Sequence, residues 1–169
     1  MITKVKVRYF KRFKKEEFDL SDHVILAGPN NSGKTTLLQA ITVWRLSLQR
    51  WLDERGPDSG SKAKQRAGVS ITRKDFTALP LREMNLLWTD TLVSLKKEDA
   101  KEAGRKPGFP RAMEITLEGK KGQINWDMTL EYRYGNSELI HVKPSEKHIG
   151  NLPDEARQID VIHVPPFSG

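Results

Sequence analysis

Alternation of apolar and polar positions marks two parts of the chain as β-structure. Residues 2–9 alternate at a period of two, which predicts a strand with one buried face. A hairpin-like segment should then return through Phe10, Phe13, Phe18 and Leu20. The same period reappears over residues 112–143, where turn-forming residues at 118–122 and 135–137 interrupt it. This pattern predicts a three-stranded antiparallel β-meander over residues 112–143.

A helical period replaces the strand period between these two parts. Large apolar side chains follow one another at steps of four, three, four and three: Leu37, Ile41, Trp44, Leu48 and Trp51. Such spacing places them on one side of an amphipathic helix, which we expect from about residue 32 to residue 53. The apolar run at residues 23–27 predicts a short buried strand immediately before this helix.

The remaining segments give weaker patterns. Residues 54–70 and 96–110 are rich in charged residues, glycine, serine or proline, and we expect them to be mobile loops. Residues 73–91 have helical character, and residues 159–164 predict a last buried strand. A domain rarely ends directly after a buried strand. We therefore expect residues 1–169 to form a single N-terminal lobe that continues in a longer protein.

The strongest chemical signal lies between the predicted strand and helix, where residues 28–36 read GPNNSGKTT. Its fixed positions complete the phosphate-binding pattern G-x-x-x-x-G-K-[ST]: Gly28, Gly33, Lys34 and Thr35. The two glycines allow the backbone to wrap a phosphate, so that successive N–H groups point at it. We expect Lys34 to act in catalysis at the β- and γ-phosphates, and the Thr35 hydroxyl to bind Mg²⁺. The residues expected to bind ATP are Gly28, Pro29, Asn30, Asn31, Ser32, Gly33, Lys34, Thr35 and Thr36.

The context of this loop agrees with the motif. A strand, a glycine-rich loop and a helix follow one another in the order that phosphate binding requires, and the loop lies at a helix N-terminus, where an anion is favoured. The sequence therefore predicts an α/β lobe of the P-loop NTPase class. We expect a mixed sheet, one long helix after the loop, and the antiparallel meander.

Composition and charge narrow the class of protein. The chain has no cysteine, which excludes a disulfide framework and cysteine-based zinc sites. No apolar run approaches the roughly 18 residues that span a bilayer, so we expect a cytoplasmic protein without a membrane partner. The net charge is +7, with seven basic side chains in residues 1–15: Lys4, Lys6, Arg8, Lys11, Arg12, Lys14 and Lys15. This segment could contact DNA phosphates, form the solvated face of an edge strand, or bring Lys11 or Arg12 near the nucleotide.

The sequence lacks the second motif that a hydrolase of this class needs. That motif is an apolar run that ends in aspartate, often followed by glutamate; the first acid holds Mg²⁺ and the second polarises water. Residues 85–90 come nearest, but they have a helical pattern and no acid follows Asp90. An LSGG-type signature is also absent from the 169 residues. The chain therefore has a phosphate-binding loop without evident hydrolytic machinery.

Residues 2–41 resemble the N-terminal ATPase segment of the RecF/SMC/OLD-type ABC ATPases. The resemblance is carried by the basic first strand, the YFKRF turn, Phe18-Asp19-Leu20, and the run VILAGPNNSGKTTLLQAI. In that family a strand-turn of the form N-F-[RK] precedes a loop of the form G-x-N-x-[SA]-G-K-[ST]. The present chain has Tyr9-Phe10-Lys11 at the turn. Transfer of a nucleotide contact to Lys11 or Arg12 rests on this match.

The resemblance implies a larger, two-part ATPase. Such proteins use ATP and Mg²⁺, and a C-terminal lobe supplies the acidic (Walker B) and signature motifs. Two heads then form a nucleotide-dependent homodimer that acts on DNA, in repair or phage defence. Some members carry a glutamine loop after the strand that leaves this lobe. Gln158 precedes the predicted last strand and no glutamine follows it, so that loop cannot be placed.

Two other functions remain open from the sequence. A P-loop kinase of a small molecule or nucleotide would fit within 169 residues, with a basic lid at residues 62–73. A nucleotide-binding interaction module that does not hydrolyse ATP would need no acidic motif. A GTPase is disfavoured because the chain has no N-K-x-D segment.

Overall fold

The computed structural model describes residues 1–56, 67–76, 79 and 81–162. The strands within them are β1 (Ile2–Phe10), β2 (Phe13–Asp19), β3 (Val69–Thr72), β4 (Met113–Lys121), β5 (Ile124–Tyr134) and β6 (Leu139–Pro144). The α-helices are α1 (Lys34–Arg55), α2 (Lys97–Glu102) and α3 (Asp154–Arg157). Short 3₁₀ helices lie at Arg73–Asp75, Met84–Leu87, Thr89–Thr91 and Glu146–His148.

The six strands form one sheet in the order β2-β1-β4-β5-β6-β3, and each neighbouring pair is antiparallel. The predicted meander is present as β4, β5 and β6. The predicted mixed sheet is not found in the described part of the chain, which is a correction to the expected fold class. Tight hairpins join β1 to β2 and β4 to β5, and such connections produce antiparallel pairs.

Helix α1 covers one face of the sheet and confirms the predicted long helix. Its buried side is formed by Leu37, Ala40, Val43, Trp44, Ser47, Leu48 and Trp51. The indole N–H of Trp44 donates a hydrogen bond to the backbone oxygen of Met128 on β5, at 3.1 Å. Apolar burial fixes the helix on the sheet, and this bond satisfies the buried indole. The N-terminus of α1 is thereby held at a defined place beside the first hairpin.

The turn expected at residues 118–122 begins later than the sequence suggested. Strand β4 continues to Lys121, and the chain reverses at Gly122, whose φ is +60°. Gly119 lies within β4, opposite Trp126 on β5. The residue is a glycine because the Trp126 ring covers the space that a Cβ would fill. Glycine at that position therefore serves close packing of an aromatic ring, whereas Gly122 makes the turn.

The buried strand predicted at residues 23–27 is wrong. The segment is irregular, and most of its side chains lie at the surface: Ile25 is 93% exposed and Val24 is 44% exposed, whereas Leu26 is partly buried against the core. A strand needs a neighbour for its N–H and C=O groups. In the described residues, the segment pairs with neither edge of the sheet.

The helix predicted over residues 73–91 is also wrong. This segment contains the 3₁₀ helices Arg73–Asp75, Met84–Leu87 and Thr89–Thr91, and Glu83 and Trp88 are extended before the second and the third. Residues 77–78 and 80 lie outside the described residues. Leu87 and Trp88 are buried, and Asp90 and Thr91 have φ values of +56° and +58°. The contacts of the buried side chains override the helical propensity of the sequence.

The two predicted loops contain regular structure. Residues 57–66 of the first, predicted over 54–70, lie outside the described residues, but residues 69–70 begin β3, which pairs with β6. The second, over 96–110, contains α2, with Ala100 fully buried. Of the last strand expected at 159–164, residues 159–162 are irregular and the remainder lies outside the described residues.

Candidate nucleotide-binding site

The glycine-rich loop connects the irregular segment to α1. Gly28 and Gly33 have φ values of +148° and +102°, and Asn31 adopts the left-handed conformation at +69°. The N–H of Ser32 donates a hydrogen bond to the oxygen of Pro29 at 3.2 Å, which closes a turn inside the loop. These backbone angles favour glycine and asparagine, so the loop conformation accounts for these residue types.

Lys34 folds back over this loop. Its Nζ lies 2.7 Å from the backbone oxygen of Gly28, 2.8 Å from that of Pro29, and 3.3 Å from Oγ of Ser32. An ammonium group donates three hydrogen bonds, and all three are made here within the loop. The positive charge is thus held against the carbonyl groups of the loop. An anionic oxygen at that place would offer a stronger partner than neutral carbonyl groups.

The first turn of α1 presents free backbone donors. The helix begins at Lys34 with Gly33 as its N-cap; no side chain caps it and its first turn has no acid. The N–H of Leu37 bonds to the oxygen of Gly33 at 2.9 Å, so the preceding helical N–H groups lack intrahelical acceptors. Those groups belong to Lys34, Thr35 and Thr36. They and the helix dipole make this end favourable for phosphate.

The residues present fit a nucleotide and a magnesium ion. Uncapped N–H groups and the Lys34 ammonium suit phosphate oxygens, and Thr35 is exposed in the first helical turn. A threonine hydroxyl is a hard oxygen ligand of the kind that Mg²⁺ accepts beside phosphate oxygens. The Lys34 ammonium, the uncapped N–H groups and the Thr35 hydroxyl therefore all lie at the same end of α1.

Arg12 and Lys11 are placed differently. A Cβ built on Gly33 would lie 3.3 Å from Cδ of Arg12, so the Arg12 side chain runs beside the loop. Lys11 instead reaches the side of α1, where its Nζ donates a 2.6 Å hydrogen bond to Oε1 of Gln39. Burial lowers the pKa of Lys11 below its ordinary value. Of the two basic residues predicted to contact the nucleotide, Arg12 is the one whose side chain lies beside the loop.

Phe13 was missed as a site residue by sequence reasoning. Its ring atoms Cζ and Cε1 would lie 2.6 and 2.9 Å from a Cβ on Gly33, so the ring packs directly against the loop backbone. Phe18 contacts the Phe13 ring, at 5.1 Å between the centroids. The sequence signal was present in the YFKRF turn, but an aromatic residue at the start of a strand normally indicates core packing alone.

The family model described as the AAA ATPase domain matches residues 1–104. The chain belongs to this family. The match confirms the predicted resemblance as far as it concerns an AAA-type ATP-binding protein.

Several solved chains are similar to this one. One of them comes from a study of ATP-driven dimerization and DNA-stimulated activation of SMC ATPases, at 15% identity and a TM-score of 0.39. The alignment covers 95% of the present chain and 86% of that chain. No curated protein sequence matched the chain.

The described residues contain no cluster of acids that would complete a metal site. In the described ranges, no group of three or more His, Asp or Glu side chains is arranged to hold a metal ion. Asp90, the nearest approach to an acidic motif in the sequence, lies in the 3₁₀ helix Thr89–Thr91 and is exposed. The structure therefore places Asp90 after an irregular segment and not at the end of a buried strand.

The basic residues of the first hairpin are largely paired with acids. The Nζ of Lys4 lies 3.0 Å from Asp19, that of Lys6 lies 2.5 Å from Glu118, and NH1 of Arg8 lies 3.4 Å from Glu114. Lys14 similarly lies 3.4 Å from Asp99. Four of the seven basic side chains thus have acidic partners, which reduces the positive potential available to DNA. Local charge pairing across neighbouring strands favours the solvated-face interpretation.

Among the helices of the described residues, none combines the length and the apolar character needed to cross a bilayer.

Proposed function

We propose that this chain is the ATP·Mg²⁺-binding N-terminal lobe of a RecF/SMC/OLD-like ATPase. The observation that carries the proposal is the position of Lys34, folded over the carbonyl groups of its own glycine loop at the uncapped start of α1. This arrangement brings one positive charge and the uncapped backbone N–H groups of the first helical turn together at the loop. Membership of an ATPase family supports ATP as the anion.

Each part of the loop then has a role. The backbone of residues 28–36 surrounds the triphosphate, Lys34 neutralises the charge that develops between the β- and γ-phosphates, and Thr35 supplies a metal ligand. Mg²⁺, when bound with ATP, supplies additional neutralisation of the phosphate oxygens. Arg12, beside Gly33, provides a second positive charge at the edge of the loop.

A C-terminal lobe is the partner that this site needs. The acidic and signature motifs are absent from the 169 residues, so hydrolysis requires them from elsewhere. The apolar side chains exposed beside the loop, Val24 and Ile25, support a second lobe that covers them. In the proposed protein, two such heads form a homodimer around nucleotide. The complete ATPase performs DNA-associated work, in repair or phage defence, and its location is cytoplasmic.

The non-hydrolysing alternative applies to residues 1–169 by themselves. Without the acidic motif, we expect this chain to bind ATP and to hydrolyse it slowly or not at all. A P-loop kinase is the less favoured enzyme, because the antiparallel meander β4-β5-β6 fits that fold poorly. Residues 62–66 of the proposed basic lid also lie outside the described residues.

Calorimetric titration with MgATP and with MgGTP tests the proposal. Wild-type chain should bind ATP in preference to GTP, and Lys34→Ala should abolish binding without changing the circular dichroism spectrum. Lys120→Ala, which removes an exposed lysine from β4, is the matched control and should bind normally. Equal affinity of wild type and Lys34→Ala would refute the assignment. Robust, Lys34-dependent hydrolysis by this chain would favour the kinase-like alternative.

A further inference from the structure

The turn between β1 and β2 is packed against the phosphate-binding loop. Phe13 lies against Gly33, and the aliphatic part of Arg12 lies next to them. The conformation of this turn therefore determines both the space beneath the loop and the starting position of the Arg12 guanidinium. Lys11 in the same turn has a φ of +48°, which is unfavourable for a residue with a Cβ. Such a turn needs contacts that hold it.

The segment 87–89 supplies those contacts. The N–H of Lys11 donates a 2.8 Å hydrogen bond to the oxygen of Leu87, and Phe10 and Trp88 form an isolated antiparallel bridge. The hydroxyl of Thr89 donates a 3.0 Å hydrogen bond to the oxygen of Phe13. Residues 87–89 thus bond to the turn on both sides of Arg12. Among these contacts, the bond from Thr89 is made by a side chain and the others by the backbone.

Buried neighbours hold the backbone around Thr89 in a strained conformation. The indole N–H of Trp88 donates to the oxygen of Arg111 at 2.9 Å, and its ring meets Tyr134 edge-on at 6.0 Å. The next two residues, Asp90 and Thr91, have φ values of +56° and +58°, which are unusual for non-glycine residues and more so for a β-branched one. Thr89 is only 8% exposed, so its hydroxyl is held toward Phe13.

From these contacts we propose that Thr89 is a positioning residue for nucleotide binding. It fixes the turn that carries Arg12 and Phe13 beneath the phosphate-binding loop. The inference rests on the proposed function, because it assumes that Arg12 faces a phosphate. Thr89 bonds to the backbone of Phe13 and not to the loop, so it acts through the turn. Loss of its hydroxyl would leave the Phe13 oxygen without this bond and let the turn move away from Gly33.

The test uses Thr89→Val in the 169-residue chain, with MgATP affinity measured by calorimetry. This change keeps the shape of the side chain and removes the hydroxyl. We expect binding about tenfold weaker, which corresponds to about 1.4 kcal/mol. Thr89→Ser keeps the hydroxyl and should restore affinity to within about twofold of wild type, on the same scale. Thr89→Ala removes the same hydroxyl and takes the place of Thr89→Val if that variant does not fold.

A matched control separates positioning from general stability. The hydroxyls of Thr116 and Thr129 lie 2.8 Å apart on β4 and β5, away from the loop. Thr116→Val also removes a threonine hydrogen bond and should lower the melting temperature without changing nucleotide affinity. The positioning role would be overturned if Thr116→Val also lost nucleotide affinity, in the same proportion to its drop in melting temperature as Thr89→Val.

Coupling to Arg12 gives the decisive readout. If Thr89 acts by placing Arg12, then Thr89→Val should weaken binding by less than about twofold when Arg12→Ala is already present. An undiminished tenfold loss in that background would overturn the inference, as would unchanged affinity in Thr89→Val alone. These failures are distinct from failure of the proposed function, in which the wild-type chain would lack Lys34-dependent ATP binding altogether.

Discussion

The ring of Phe13 lies directly against the backbone of Gly33. A Cβ on Gly33 would stand 2.6 Å from Cζ of that ring, and the φ of Gly33 is +102°. The glycine is therefore required twice, once by backbone conformation and once by the aromatic ring beneath it. This contact joins the first hairpin of the sheet to the phosphate-binding loop.

Gly33→Ala should disturb both the fold and the site. The ring must move or the loop must lift, and we expect a loss of about 1–3 kcal/mol in the free energy of unfolding, together with loss of MgATP binding. Denaturant unfolding and calorimetry measure the two effects. Gly122→Ala is the control, because Gly122 also has a positive φ, +60°, but nothing within 4 Å of the added Cβ. Intact MgATP binding in Gly33→Ala would contradict the proposed packing.

Arg111 and Asp99 form a buried ion pair that ties α2 to the sheet. Their side chains are 4% and 13% exposed, and the Arg111 guanidinium also lies 4.5 Å from the ring centroid of Tyr9. Asp99→Ala leaves the arginine charge buried without this partner, and we expect a cost of about 3–5 kcal/mol in denaturant unfolding.

The exposed pair Arg50–Glu54 on α1 is the control for Asp99→Ala. Glu54→Ala should cost about 0.3–0.5 kcal/mol, because solvent screens exposed helical pairs. Equal costs for the two alanine variants would mean that Arg111 does not depend on Asp99.

His148 should make stability depend on pH. It is buried; its Nδ1 lies 2.9 Å from the Ser145 hydroxyl, and its Nε2 lies 3.2 Å from Asp127. Burial lowers the pKa of His148 below its ordinary value, although Asp127 opposes the shift. The unfolded chain therefore binds this proton at a higher pH than the folded chain. The free energy of unfolding should fall as pH drops below about 6.5.

Thermal unfolding between pH 7.5 and pH 5 measures this dependence. His148→Gln should be less stable than wild type at pH 7.5, and its melting temperature should change less on acidification. His141→Gln removes an exposed histidine whose Nδ1 lies 3.2 Å from the Ser70 hydroxyl, and it should retain the wild-type pH profile. An unchanged slope in His148→Gln would assign the pH dependence to other groups.

The exposed segment before the loop should tolerate polar substitution in this chain. Ile25 is 93% exposed, so Ile25→Thr should change the free energy of unfolding by less than about 0.5 kcal/mol. Val5 on β1 is fully buried, and Val5→Thr should cost about 1–3 kcal/mol because it buries a hydroxyl. Denaturant unfolding of both variants makes the comparison. A large loss for Ile25→Thr would mean that the segment packs into the core.

The long helix and the meander could be predicted because their signals are local. Periods of 3.6 and two residues reflect which side of an element is buried, and Trp44 on α1 and Met128 on β5 are both fully buried as their periods imply. The loop could be predicted for a similar reason, since a fixed spacing of Gly28, Gly33 and Lys34 encodes a backbone conformation.

The sequence by itself determined the helix and the meander, and it predicts phosphate binding by residues 28–36. Only the tertiary structure decided that residues 23–27 do not form a strand, that residues 73–91 are not one helix, that Phe13 packs against Gly33, and that Thr89 bonds to Phe13. A strand forms only where a neighbour accepts its hydrogen bonds, and residues 23–27 have none among the described strands. The contacts from Phe13 to Gly33 and from Thr89 to Phe13 join residues far apart in sequence, so no local pattern encodes them.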